Sequence, residues 1–167
     1  MSAITALIDR YAIGPATLEY AVYGLTDEEA RARPGPGLWS IAELVAHLAD
    51  SDAVGGDRIK RIIAEPEPTL LAYDETAWNE RLKMQESSME DALALFRANR
   101  RWIEQVLRRC DEADFKRRGT HTEKGSVTLA DQVVTYVTHL DYHLKFLYAK
   151  RANLRTAIQP RYSYPIV

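Results

Sequence analysis

The chain is poor in several things: across 167 residues it has one cysteine, eight glycines, seven prolines and no large excess of either charge. A lone thiol, Cys110, rules out an intrachain disulfide and points to a reducing, cytoplasmic setting. No stretch free of Asp, Glu, Lys and Arg exceeds nine residues, as in Gln132–Leu140, far short of the ~20 that a membrane-spanning helix needs. Asp9 and Arg10 arrive before any apolar run of signal-peptide length, so no leader is expected. With 22 Lys plus Arg against 24 Asp plus Glu there is no global attraction to phosphate backbones or anionic lipid, which sets nucleic-acid and membrane roles back. The few glycines and prolines cluster between long segments, which argues against a sandwich or barrel of short strands.

What is present is a chain of single-domain length, 46% hydrophobic, able to bury roughly 70% of its unfolded surface without metal or disulfide staples. Any metal it holds is then expected to be functional rather than architectural. From Ser40 the apolar positions Ile41, Leu44, Val45, Leu48, Ile59, Ile62 and Ile63 form a 3.6-residue stripe that stops before Pro66 and Pro68. Ser40 with Glu43 reads as a capping box, as do Thr26 with Glu29, which opens a short helix ended by Pro34, and Ser87 with Glu90. The last pair opens a stripe through Met89, Leu93, Phe96, Ile103, Val106 and Leu107 that fades into Asp111–Arg118. A further helix begins near Thr128, with Asp131 in the N3 position, and runs through Leu147. The segment Ala3–Tyr23 is helical in pattern, and Gly14-Pro15 is expected to kink or split it, because proline removes an amide and crowds the preceding turn.

Four long helices of about 20 residues with polar outer faces pack as a four-helix bundle, an all-α fold. The connections, roughly 16, 23 and 16 residues, exceed those of tight helical hairpins and permit parallel neighbours and crossovers. The bundle domain is expected over residues 1–154, with an irregular tail over 155–167.

The histidines carry the chemistry. His139 and His143 lie four apart on one face of the last helix, about 6 Å along its axis, and can reach one ion. His47 sits at the border of the second long stripe, where it can face a neighbouring helix. Bundle cores build metal sites from facing helices, and neutral imidazole ligates Zn, Ni, Co and Fe. Satisfied core or surface histidines would show the same spacing.

Pro34–Asp50, reading PGPGLWSIAELVAHLAD, resembles the second-helix signature of the DinB-like superfamily of metal enzymes. So do His121–Gly125 leading into Val127-Thr128-Leu129, the stretch Ala77-Trp78-Asn79-Glu80-Arg81, and His139-Leu140-Asp141-Tyr142-His143-Leu144. The resembling subgroup is YfiT-like and bacillithiol-transferase-like, and the likeness runs from the Thr26 helix to about Leu154. It implies an up-up-down-down bundle, a homodimer, and a divalent metal (Zn, Ni, Mn or Fe) on His47, His139 and His143. It also implies thiol-dependent S-transfer to a small-molecule substrate, with a low-molecular-weight thiol as cosubstrate. Three neutral imidazoles leave an ion's charge uncompensated, so water or a thiol held there ionises more readily, and hydrolysis would use the same ligands. A non-catalytic dimeric bundle binding a metal or small ligand is the remaining alternative. The chain departs from the family at Leu140, where relatives often carry an acid, and at Phe146, where they often carry glutamine; an acceptor for the imidazole N–H groups is then sought in Asp50, Asp141 or a carbonyl.

Other residues read more plainly. His121 is expected as a solvated loop residue, with a place at the site mouth as the alternative. Asn99, on an apolar stripe, needs a partner if buried. Arg97, Arg100, Arg101, Arg108 and Arg109 make the third long helix basic, which is read as a solvated face, or less simply as a contact to an anionic thiol. Cys110 reads as a small apolar residue and Trp39, Trp78 and Trp102 as core or pocket wall.

Overall fold

A computed structural model describes residues 2–163. Its helices are α1 (Ala3–Val22), α2 (Asp27–Arg31), α3 (Ile41–Ala64), α4 (Glu75–Arg81), α5 (Met89–Leu107) and α6 (Leu129–Asn153). Three short strands, β1 (Thr69–Leu70), β2 (Arg118–His121) and β3 (Gly125–Thr128), form one sheet in that order, β1 parallel to β2 and β2 antiparallel to β3. The expected capping boxes at Thr26 and Ser40 are present, and Thr128 with Asp131 at N3 forms another. The cap of α5 is Ser88, whose hydroxyl accepts from the Asp91 amide, one residue beyond the expected Ser87. The sheet was not foreseen: its strands are too short and polar to show a two-residue alternation.

The long helices α1, α3, α5 and α6 form the expected bundle. One buried cluster joins the end of α1 (Leu18, Val22) to the start of α3 (Ile41, Leu44), the start of α5 (Phe96) and the end of α6 (Leu144, Leu147). The other joins the opposite ends, with Ile8, Ile59, Ile103 and Val133. The helix directions therefore run up, down, down, up, in place of the up-up-down-down order that the resemblance implied. Parallel α3 and α5 need a return path along the bundle, and residues 65–88 supply it as a strap through β1 and α4.

Gly14-Pro15 does not split α1, which is continuous. The reason lies on another helix. Pro15 leaves the Tyr11 carbonyl without its amide donor, and Arg100 of α5 fills the gap, Nη1 donating to it at 3.1 Å. The glycine makes room: a Cβ at Gly14 would lie 2.9 Å from Arg100 Nη1. Arg100 also donates from Nε to Asp52 Oδ1 of α3 at 2.6 Å and from Nη2 to the Tyr136 carbonyl of α6 at 2.7 Å. It is 1% exposed, so it is no part of a solvated basic face and instead ties all four long helices together. Asn99, one residue before, donates to the other Asp52 oxygen at 2.7 Å, the partner its burial called for. Two of the remaining basic groups meet acids at the surface, Arg97 with Glu19 and Arg108 with Asp9 and Glu104.

Residues 155–163 carry no helix or strand and are held along α1 and α6. The Tyr20 and Tyr148 hydroxyls donate to the Gln159 and Arg161 carbonyls at 3.0 Å, and the Ser163 amide donates to Asp141 at 2.7 Å. The expected tail continues through residues 164–167, which lie outside the described residues. No helix among the described residues is long and apolar enough to cross a membrane.

Candidate metal centre

His47 enters from α3 and His139 and His143 from α6, where these antiparallel helices face each other. The Nε2 atoms lie 3.3 Å (His47–His139), 3.2 Å (His47–His143) and 3.1 Å (His139–His143) apart. Each Nε2 carries either a proton or a lone pair, so at least one of the three contacts must set donor against donor or acceptor against acceptor. Hydrogen bonding alone cannot satisfy such a triangle; one cation accepting all three lone pairs does. Tetrahedral zinc with Zn–N near 2.0–2.1 Å would place its nitrogens about 3.3 Å apart, so the donor set fits a small divalent ion. Burial pushes His47 and His143 down to about 4, and burial reinforced by the other two imidazoles pushes His139 down to about 2, so all three are neutral, the ligating form, at pH 7.

The surroundings come from three places. Trp39, just before the α3 cap, packs tilted against the His47 ring at 5.2 Å, and its carbonyl accepts from Lys150 Nζ at 2.5 Å. Tyr142 and Phe146 flank His143 at 5.3 and 6.3 Å. The strap contributes Glu75, whose exposed Oε2 lies 3.7 Å from His47 Nε2. Reading the sequence missed Glu75. The Asp74 cap, accepting from the Ala77 amide, marks a helix start, but no local pattern joins it to His47.

The other candidates fall elsewhere. Leu140, fully buried, packs beside Gly14, so the first departure from the family does not touch the ligands, whereas Phe146 does stand beside them. Asp141 is buried on the opposite face of α6, holding the tail. His121 is buried rather than solvated: its Nδ1 accepts the Glu123 and Lys124 amides and caps the β2–β3 turn. Cys110 is half-buried with its thiol pushed up by burial, the opposite of an activated nucleophile. Trp102 and Trp78 are 58% and 37% exposed, so neither is core.

Fold and site together define a four-helix bundle with a three-imidazole cluster between two of its helices. The chain belongs to the DinB superfamily, whose model matches residues 10–147. It is 33% identical over 132 residues, 78% of this chain and 74% of the relative, to YfiT of Bacillus subtilis, and 31% identical over 131 residues, 78% and 75%, to OB0782 of Oceanobacillus iheyensis. Both are named as proposed metal-dependent hydrolases. The solved structure of Bacillus subtilis YfiT superposes with a TM-score of 0.85 at 27% identity, covering 93% of this chain and 90% of that one, and is described as having an unusual four-helix bundle topology.

Proposed function

We propose that the chain is a metal-dependent hydrolase of a small-molecule substrate, with a divalent ion held by His47, His139 and His143. The observation that carries this is the triangle of Nε2 atoms at 3.1–3.3 Å, a geometry that a shared cation satisfies and mutual hydrogen bonds do not. A divalent ion on three neutral imidazoles supplies Lewis acidity and eases deprotonation of a water or thiol beside it. Glu75 Oε2, 3.7 Å from His47 Nε2, takes the proton from the nucleophile and can pass it to the leaving group. Trp39, Tyr142 and Phe146 offer aromatic walls to the substrate. The names of the relatives support water as the nucleophile.

The test has two stages. Reconstitution with Zn, Ni, Mn or Fe(II) and elemental analysis should give one ion per chain, lost when the three histidines are changed to Ala. An ester and amide panel assayed with and without cysteine as added thiol then identifies the nucleophile. Turnover without thiol supports hydrolysis, while turnover only with thiol assigns S-transfer instead. Failure to take up any metal refutes the site.

A further inference from the structure

We propose that the cavity farther along α3 from the three-histidine cluster binds the anionic end of the substrate, a carboxylate or phosphate on a flat or aliphatic body; its role as a substrate subsite rests on the hydrolase reading. The cavity, about 440 Å³, lies between the C-terminal half of α3 and the strap, and is walled by Val54, Leu70, Leu71, Tyr73 and Trp78, with Arg58 among them. That volume and largely apolar lining suit a small organic molecule.

Arg58 is the unusual member. It is 8% exposed, yet no carboxylate pairs with it among the described residues. Its Nη1 donates to the Tyr136 hydroxyl at 3.0 Å, its Nη2 donates to the Leu71 carbonyl, and its Nε has no partner. The ionisable groups that feel its charge, Tyr73, Tyr136 and His121, are neutral at pH 7: burial pushes both tyrosines up and His121 down. A cation left without a counter-charge in a buried setting is costly, and an oxyanion is the complement it lacks. Asp57 and Arg61, also on the cavity, contrast with it, being already paired with each other at 2.7 Å, and Arg61 with Glu65 at 3.2 Å. The charge available to a ligand is therefore that of Arg58.

The cavity and the metal centre share α3 and the strap, though no residue lines both. His47, Ser51, Val54 and Arg58, spaced by four, three and four residues, lie along one face of α3, about 16 Å from first to last. The strap covers both sites: Tyr73 and Trp78, with ring centroids 4.5 Å apart, wall the cavity, and Glu75 between them reaches His47. A substrate with its anionic group at Arg58 would run back along α3 toward the imidazoles.

The test uses benzoate, phenyl phosphate and neutral benzamide as probes, titrated by calorimetry and tryptophan fluorescence into metal-free and zinc-reconstituted protein. A charge-assisted hydrogen bond contributes about 1.5–3 kcal/mol, so at least one anion should bind at least about tenfold tighter than benzamide. The preference should vanish in Arg58→Met, survive in Arg58→Lys and be unaffected in Arg61→Gln. In Trp78→Phe the fluorescence response should be lost while calorimetric binding persists, which places the probe without requiring Arg58→Met to fold. Benzamide binding as tightly as both anions, or a preference retained in folded Arg58→Met, overturns the proposal. Anion preference in protein that takes up no metal keeps the subsite and removes the hydrolase reading; metal uptake and ester turnover without anion preference does the reverse.

Discussion

Replacing Arg100 with Met removes a side chain that bonds to the other three long helices. Asp52, 2% exposed, is left as a buried carboxylate with only Asn99 donating to it, and breaking a buried pair in this way costs about 3–5 kcal/mol. The Tyr11 carbonyl also loses its donor, because Pro15 has no amide to return to it, a further cost of about 1–3 kcal/mol. At roughly 2–4 °C per kcal/mol for a chain of this size, the pair term alone lowers Tm by roughly 6–20 °C. Urea unfolding of a set of variants separates the two terms. Arg100→Met with Asp52→Leu should recover most of the pair term, since replacing both charges with apolar groups is often neutral. Pro15→Ala should stabilise the Arg100→Met background by at least about 1 kcal/mol more than it stabilises the native chain, because only there does the restored amide meet an orphan carbonyl. A loss below 1 kcal/mol in Arg100→Met, or equal effects of Pro15→Ala in both backgrounds, would refute this account of how α1 stays continuous.

Three further outcomes follow from the site and its supports. Zinc at a hundred times its dissociation constant should stabilise the chain by about 2.7 kcal/mol, read as a rise in urea midpoint that EDTA reverses and that His47→Ala abolishes. Gly55→Ala would put a Cβ 2.4 Å from the Tyr136 ring where α3 crosses α6, and should cost about 1–3 kcal/mol by thermal unfolding; a neutral result would show that the ring can move aside. His121 is held below its ordinary 6.5 by burial and then by Arg58 and Lys124, so the unfolded chain takes up its proton first. Its contribution to stability is full above about pH 6.5 and is lost as pH falls through the lower folded value. The stability gap between the native chain and His121→Asn should therefore shrink from pH 7.5 to pH 5, and a constant gap would remove the turn-capping role.

The helices were legible because what defines them is local. Ser40 with Glu43 and Thr128 with Asp131 sit three residues apart, and the stripes of α3, α5 and α6 repeat within single segments. The His139–His143 spacing is local as well, so half of the candidate site could be read from one helix. Glu75 and Arg58 were invisible for the opposite reason. Nothing in their own segments sets them apart, and their importance comes from His47 on one side and from a missing carboxylate on the other.

The sequence by itself determined the class of the protein: a charge-balanced, cysteine-poor chain of four long helices, with three histidines placed on two of them. Tertiary structure alone decided what those pieces became. Helix direction depended on a 24-residue strap returning along the bundle, residues 65–88. Continuity of α1 through Pro15 depended on a guanidinium contributed 85 residues later, at Arg100. Convergence of three imidazoles to within 3.3 Å depended on α3 and α6 packing antiparallel. Periodicity and capping act within a few residues, whereas a donor for an orphan carbonyl or a third nitrogen for an ion exists only once distant segments have packed.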